Sequence, residues 1–74
     1  MNQIETILQE IRPEYDFKES EDFIADQMLD SFDVVTLVSE LDKRYAIAID
    51  GADIVPENFR NLDAIAKLLA KYGK

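Results

Sequence analysis

Ile4, Ile7, Leu8 and Ile11 recur at the spacing of one helix face, which predicts a first helix whose stripe enters the core. Asn2 stands where it would cap that helix, and Pro13, which has no amide hydrogen to donate, enforces a stop soon after Ile11. A second helix is predicted from about Ser31 to Tyr45, with Phe32, Val35, Val38, Leu41 and Tyr45 on its apolar face and Val34 and Leu37 widening it. Asp33, Thr36, Glu40 and Lys43 fall on the opposite face. Asp30 before the run and Asp33 three residues later read as a capping box in which aspartate replaces the usual glutamate. The last helix starts near Asn61 as N-cap, turns Leu62, Ile65, Ala66, Leu68 and Leu69 inward and stops at Gly73.

Between the first two helices, residues 13–29 are polar and acidic, with Phe17, Phe23, Ile24, Met28 and Leu29 spaced irregularly. So long a connection in a compact domain implies either function or anchoring side chains; Phe17 and Phe23 are expected to pin it to the core. Residues 46–50 alternate like a strand, yet no second segment offers to pair with them, so they read as an extended connector. Gly51 to Val55 is expected to form one short helical turn ended by Pro56. The expected fold is all-α, a single domain over residues 1–74 built as a small antiparallel bundle of three main helices plus one short helix.

The 74 residues include neither cysteine nor histidine. That removes a disulfide framework, a thiolate nucleophile and the usual zinc ligands, so the fold must rest on apolar packing. A calcium loop starting at Ala46 would set Asp50, Gly51 and Glu57 at suitable positions, but Ala46 and Ala48 would then stand where ligating oxygens are needed. The motif is rejected, and carboxylates at 26, 30 and 33 are read as a solvated acidic patch rather than a metal site. Charge is unevenly placed: residues 1–42 hold 12 acids against Arg12 and Lys18, a net of −10, whereas residues 43–74 hold six bases and four acids, a net of +2. Nucleic acid and anionic membranes are repelled by such a surface, which either attracts basic protein surfaces or serves solubility alone. Met1 to Glu5 shows no basic leader and no stretch is long enough to cross a bilayer, so the chain is read as cytoplasmic, with no membrane insertion, and as a monomer.

Ser31 lies between Asp30 and Asp33 with no histidine to serve as its base. Autonomous hydrolysis therefore fails on chemistry, since the hydroxyl needs a base and a preorganised oxyanion hole. Two readings remain: Ser31 is an ordinary cap of the second helix in an acidic, non-catalytic adaptor, or another protein acts on it. A phosphate ester there would meet the positive end of the helix dipole and be opposed by the two aspartates to a similar extent.

The run from Leu29 to Leu41 resembles the prosthetic-group attachment motif of acyl and peptidyl carrier proteins, and the run from Ile54 to Ile65 resembles that family's segment between its third and fourth helices. The likeness spans nearly the whole chain. It implies that Ser31 carries 4'-phosphopantetheine, transferred from coenzyme A by a separate Mg²⁺-dependent phosphopantetheinyl transferase. The arm's thiol would take an acyl or aminoacyl group from an activating ligase and pass it to a downstream acyltransferase or synthase, so the chain itself would not be an enzyme. With no cysteine, that thiol would be the only one in the molecule. The resemblance also implies that Asp30 and Asp33 engage basic residues of the transferase, that Phe32 packs at the root of the arm, and that Thr36, Lys43 and Ile54 belong to the partner-binding surface. Many fatty-acid synthase carriers have a glycine shortly before the Asp-Ser pair, where this chain has Gln27, Met28 and Leu29, and more carboxylates on the exposed face of the second helix. The pattern looks closer to stand-alone carriers, such as D-alanyl carrier proteins or those of specialised biosynthetic clusters.

The net of −10 in the first 42 residues has a direct thermodynamic consequence. Screening shortens the reach of self-repulsion to about 8 Å at physiological ionic strength, so the melting temperature is expected to rise from low to moderate salt. An unchanged melting temperature would contradict this.

Overall fold

The computed structural model describes residues 3–74, so the expected cap at Asn2 lies outside the described residues. Three helices form where periodicity places them: α1 is Gln3–Ile11, α2 is Ser31–Tyr45 and α3 is Leu62–Lys71. Among the described residues there is no strand, and residues 47–50 run as an extended connector. Helix α1 packs against both α2 and α3. The core joins Ile4, Ile7 and Leu8 of α1 to Val34, Leu37, Val38 and Leu41 of α2 and Ile65, Leu68 and Leu69 of α3.

Phe17, Phe23, Leu29 and Phe59 complete this core from outside the helices. Phe17 and Phe23 are almost fully buried, meeting edge to face with ring centroids 5.0 Å apart, an arrangement favoured by the ring quadrupoles. They hold the acidic connection down as expected. Some of its polar groups are satisfied locally: the Ser20 hydroxyl donates to Asp26 at 2.6 Å, and Asp22 Oδ1 accepts the amides of Ile24 and Ala25. A 3₁₀ turn at Phe17–Glu19, which periodicity did not predict, starts where the Asp16 carboxylate accepts the Lys18 amide.

On α2 the buried stripe is Val34, Leu37, Val38 and Leu41, while Phe32 and Val35 are 82% and 62% exposed. The expected face is therefore corrected. Steps of three residues drift around an α-helix by about 60° each, so a line traced back from Leu41 through Val38 and Val35 has left the core by Phe32. Asp33 departs in the other direction, buried rather than on the outer face. On α3, Ala66 is exposed although it was expected inside, because Ile65, Leu68 and Leu69 already define the inward stripe. The cap of α3 is as predicted, with Asn61 Oδ1 accepting the Ala64 amide at 2.7 Å. Gly73 takes a φ of +82° at the expected stop.

The expected short helix divides into two 3₁₀ turns, Gly51–Asp53 and Pro56–Asn58. Pro56 opens the second turn instead of closing the first, since its fixed φ suits the first position of a helical turn, where an amide hydrogen has no partner.

Phe23 and Phe32 allow a direct check of this packing. Phe23→Ala is expected to lose about 3 kcal/mol of stability through the transfer and cavity terms, and Phe32→Ala to change it by less than about 0.5 kcal/mol, both measured by urea denaturation. Comparable losses at the two positions would refute the orientation of α2.

Candidate functional site

Helix α2 begins at a doubly closed cap. Asp30 is its N-cap, in extended conformation, and its Oδ1 accepts the Asp33 amide at 2.9 Å while Asp33 Oδ2 accepts the Asp30 amide at 3.2 Å. The capping box is thus formed with aspartate at both corners. The hydrogen bond from the Asp33 amide holds the Asp30 carboxyl below its ordinary pKa against the opposing effect of burial, with Arg12's positive charge assisting. Ser31 is the first residue inside the helix, and it is exposed. The cap is therefore Asp30, and the reading in which Ser31 serves only to cap α2 is corrected.

Arg12, just past the end of α1, reaches this box. Its Nε donates to Asp33 Oδ2 at 2.9 Å, and its remaining nitrogens lie 3.7 Å from Asp30 Oδ2 and 3.4 Å from Glu14 Oε2. The Asp33 carboxylate, first in effect, raises the pKa of the guanidinium further. Asp33 has a side chain only 12% exposed, because burying a carboxylate requires a partner and Arg12 supplies it. Arg12 was visible from sequence as one of two bases in the acidic half, but nothing in the spacing revealed that it lies 21 residues away from its partner and in contact with it.

Beside Ser31 opens a cleft of about 290 Å³ lined by Ile24, Leu29, Asp30, Ser31, Val34, Val35, Ile54, Val55 and Pro56. Its walls are aliphatic apart from the cap. One wall depends on the turn between residues 23 and 29, where the Phe23 carbonyl accepts the amides of both Met28 and Leu29. Gln27 enters that turn with a φ of +60°. The left-handed geometry that a glycine would supply at no cost is adopted by a glutamine.

The opposite wall is Ile54 to Pro56, and it is bolted to the end of α3. The Tyr72 hydroxyl donates to Asp53 Oδ2 at 2.7 Å and accepts the Asp50 amide at 2.8 Å, while Lys71 Nζ lies 2.7 Å from Asp53 Oδ1. Asn58 Nδ2 closes the loop by donating to the Asp53 carbonyl at 2.8 Å. The hydrogen bond from Lys71, and after it the one from Tyr72, hold the Asp53 carboxyl below its ordinary value; the same contact raises Lys71. At Tyr72 the Asp50 amide draws the pKa down, but donation to Asp53, together with burial and the Asp53 charge, leaves it raised.

The residues expected to face partners are thus distributed unequally. Asp30, Ser31, Phe32 and Ile54 cluster at the mouth of the cleft and its surroundings, exposed to different degrees. Thr36 is exposed one turn on, its hydroxyl donating to the Phe32 carbonyl at 3.1 Å. Lys43 is exposed beside Glu40, separated from Ser31 by about 18 Å of helix rise. Asp33 faces inward. Leu29, Val34, Val55 and Pro56 enter the site without having been singled out as site residues, because an aliphatic side chain lining a cleft has the same sequence pattern as one filling a core. Among the described residues, no group of three or more histidine, cysteine or acidic side chains converges to hold a metal ion.

The site offers a hydroxyl with no base of its own. The two nearby carboxylates are engaged by backbone amides and Arg12, and that of Asp30, held below its ordinary pKa, is the weaker proton acceptor for it. What the arrangement presents is an accessible nucleophile oxygen at a fixed helix start, beside an apolar cleft.

A family model described as "Phosphopantetheine attachment site" matches residues 2–69. No curated protein and no solved structure matches the chain. No helix among the described residues is long and apolar enough to cross a membrane.

Asp53 makes the cleft wall dependent on pH. Because its folded pKa is depressed, its contribution to stability is present above the ordinary carboxylate pKa of about 4 and is lost as pH falls through the folded value. Asp53→Asn cannot titrate there, so its deficit in melting temperature relative to wild type is expected to be largest near neutral pH and to shrink towards pH 3. A deficit that does not change with pH would overturn the linkage.

Proposed function

The chain belongs to the phosphopantetheine-attachment family, and from that premise we propose that Ser31 is the residue that receives 4'-phosphopantetheine and that the protein shuttles acyl or aminoacyl groups between partner enzymes. The family consists of carriers that do not themselves catalyse, and the residues around Ser31 are consistent with that. When attached, the prosthetic group supplies a flexible arm ending in a thiol that holds an acyl group as a thioester.

The observation that carries the assignment to Ser31 is the division of labour at the start of α2. Asp30 and Asp33 satisfy the cap, so the Ser31 hydroxyl is not needed by the fold and stands exposed for a transferase to use. The residues fit the group. Ser31 lines the aliphatic cleft and opens a helix of 15 residues, so an arm rooted there would start beside the cleft, with its phosphodiester near a helix N-terminus whose dipole favours an anion.

The partners follow from this role: a phosphopantetheinyl transferase, a ligase that activates the acyl or aminoacyl group, and a downstream acyltransferase or synthase. Asp30, Phe32, Thr36 and Ile54 form the surface they meet close to the arm, with Lys43 reached only by a partner whose footprint extends along α2. The outer face of α2 carries Thr36, Ser39 and Lys43, which favours a stand-alone carrier of the D-alanyl or specialised-pathway kind over a general fatty-acid carrier. Coenzyme A and the transferase are available in the cytoplasm, where the carrier acts, as a monomer.

Incubation of the apo protein with coenzyme A and a broad-specificity transferase is expected to add the phosphopantetheine mass and one titratable thiol, and Ser31→Ala to abolish both. Absence of both in the wild type, or persistence of both in Ser31→Ala, would refute Ser31 as the site.

A further inference from the structure

Arg12 occupies a position that the carrier role alone does not explain. Its neighbours on both sides, Ile11 and Pro13, end α1, yet its guanidinium is given over to the first turn of α2. The contact has a specific geometry. Asp33 Oδ2 accepts the Arg12 Nε–H at 2.9 Å and also the amide of Asp30 at 3.2 Å, so one oxygen atom joins α1 to the backbone of the residue immediately before Ser31. Charge points the same way. Asp30, Asp33 and Glu14 are all within 3.7 Å of the guanidinium, and a phosphodiester on Ser31 adds another negative charge to that group. Arg12 is the base that the fold places among them.

We propose that Arg12 is a positioning residue for the arm-bearing serine, clamping the Asp30–Asp33 box so that Ser31 is held in fixed register against α1 and the negative charge around the attachment point is partly cancelled. The proposal rests on the reading of Ser31 as the attachment site. Arg12 does not touch the reacting oxygen in this role; it acts through Asp33 and Asp30. The Arg12 and Asp33 side chains are 36% and 12% exposed, so water screens the pair in part and its worth to overall stability is modest. Its effect is concentrated where a small displacement matters, at a nucleophile that another enzyme must find in a defined place.

Arg44 provides a control within the same molecule. It also joins α1 to α2, through Glu10 at 2.6 Å, but from the far end of α2 and without contact to the box. Three variants, Arg12→Gln, Arg12→Lys and Arg44→Gln, are compared with wild type at a temperature at which circular dichroism shows each fully folded. Two quantities are measured: kcat/KM for phosphopantetheine transfer by the broad-specificity transferase, and hydrogen exchange of the amides of residues 31–34. Arg12→Gln is expected to lower kcat/KM by roughly 10- to 100-fold and to accelerate exchange in that first turn selectively. Arg12→Lys, which keeps the charge but loses the Nε–H, recovers part of both, and Arg44→Gln matches wild type in both. Adding Asp33→Asn to Arg12→Gln is expected to slow transfer no further, since both changes break one unit.

Wild-type transfer and exchange in folded Arg12→Gln would overturn the proposal and leave Ser31 as the attachment site. Equal losses in Arg12→Gln and Arg44→Gln would overturn it as well, since a general loosening of α1 against α2 would explain them. Should Arg12→Gln fail to fold, Arg12→Lys is read by the same criteria. A wild-type protein that takes up no arm would instead refute the attachment reading, and the positioning role with it, whatever the exchange data show.

Discussion

Helix α2 has to start with its first amides satisfied while leaving the hydroxyl of its first residue free. A serine at a helix start is ordinarily consumed by capping. Here the cap is displaced by one residue onto Asp30 and reinforced by Asp33, whose carboxylate is in turn compensated by Arg12. Removing either carboxylate leaves a backbone amide of the cap without its side-chain acceptor, and removing Arg12 leaves the Asp33 carboxylate without its opposite charge. The rest of the site depends on this arrangement, because the cleft walls can be arranged around Ser31 only if Ser31 itself has a fixed place.

The cleft is built from segments that are weak structures on their own. One wall follows a long acidic connection, made rigid by Phe17 and Phe23 in the core and by the double use of the Phe23 carbonyl. The other wall follows two single 3₁₀ turns, which have little internal stability and are held by Asp53, Lys71 and Tyr72 at the end of α3. Both walls thus depend on anchors remote from Ser31 in sequence. An 8.5 kDa chain without disulfides has few residues to spare for such a site, and it meets the need by making loop aromatics and loop carboxylates serve as structural ties.

Electrostatics enters as a balance. The acidic half of the chain suits basic partner surfaces and costs self-repulsion, and beside Ser31 three carboxylates, those of Glu14, Asp30 and Asp33, gather around one guanidinium. Arg12 relieves it locally without altering the acidic character of the surface, since Asp30 remains exposed at the helix start. Under the proposed carrier role, a serine at a defined helix start with an exposed carboxylate, an exposed aromatic and an aliphatic cleft around it offers each partner enzyme a common reference.

Features set by neighbours in sequence were legible directly: the limits of α2, the capping box, the Asn61 cap, the extended connector and the anchoring of the connection by Phe17 and Phe23. The resemblance of the segment around Ser31 carried the identity of the arm, because that motif is local too. Leu37, Val38 and Leu41 enter the core as expected, but where the apolar face of α2 begins was not legible, since its first turn has Phe32, Val34 and Val35 in competition for the core and only packing against α1 decides which of them enters. Asp33 reads as a surface charge until Arg12, 21 residues earlier, is brought against it. The sequence by itself therefore determined where the helices begin and which serine opens α2, through interactions spanning a few residues. Tertiary structure decided which side chains around that serine are buried, paired or exposed, because burying a carboxylate and exposing a phenylalanine are affordable only through contacts that join distant parts of the chain.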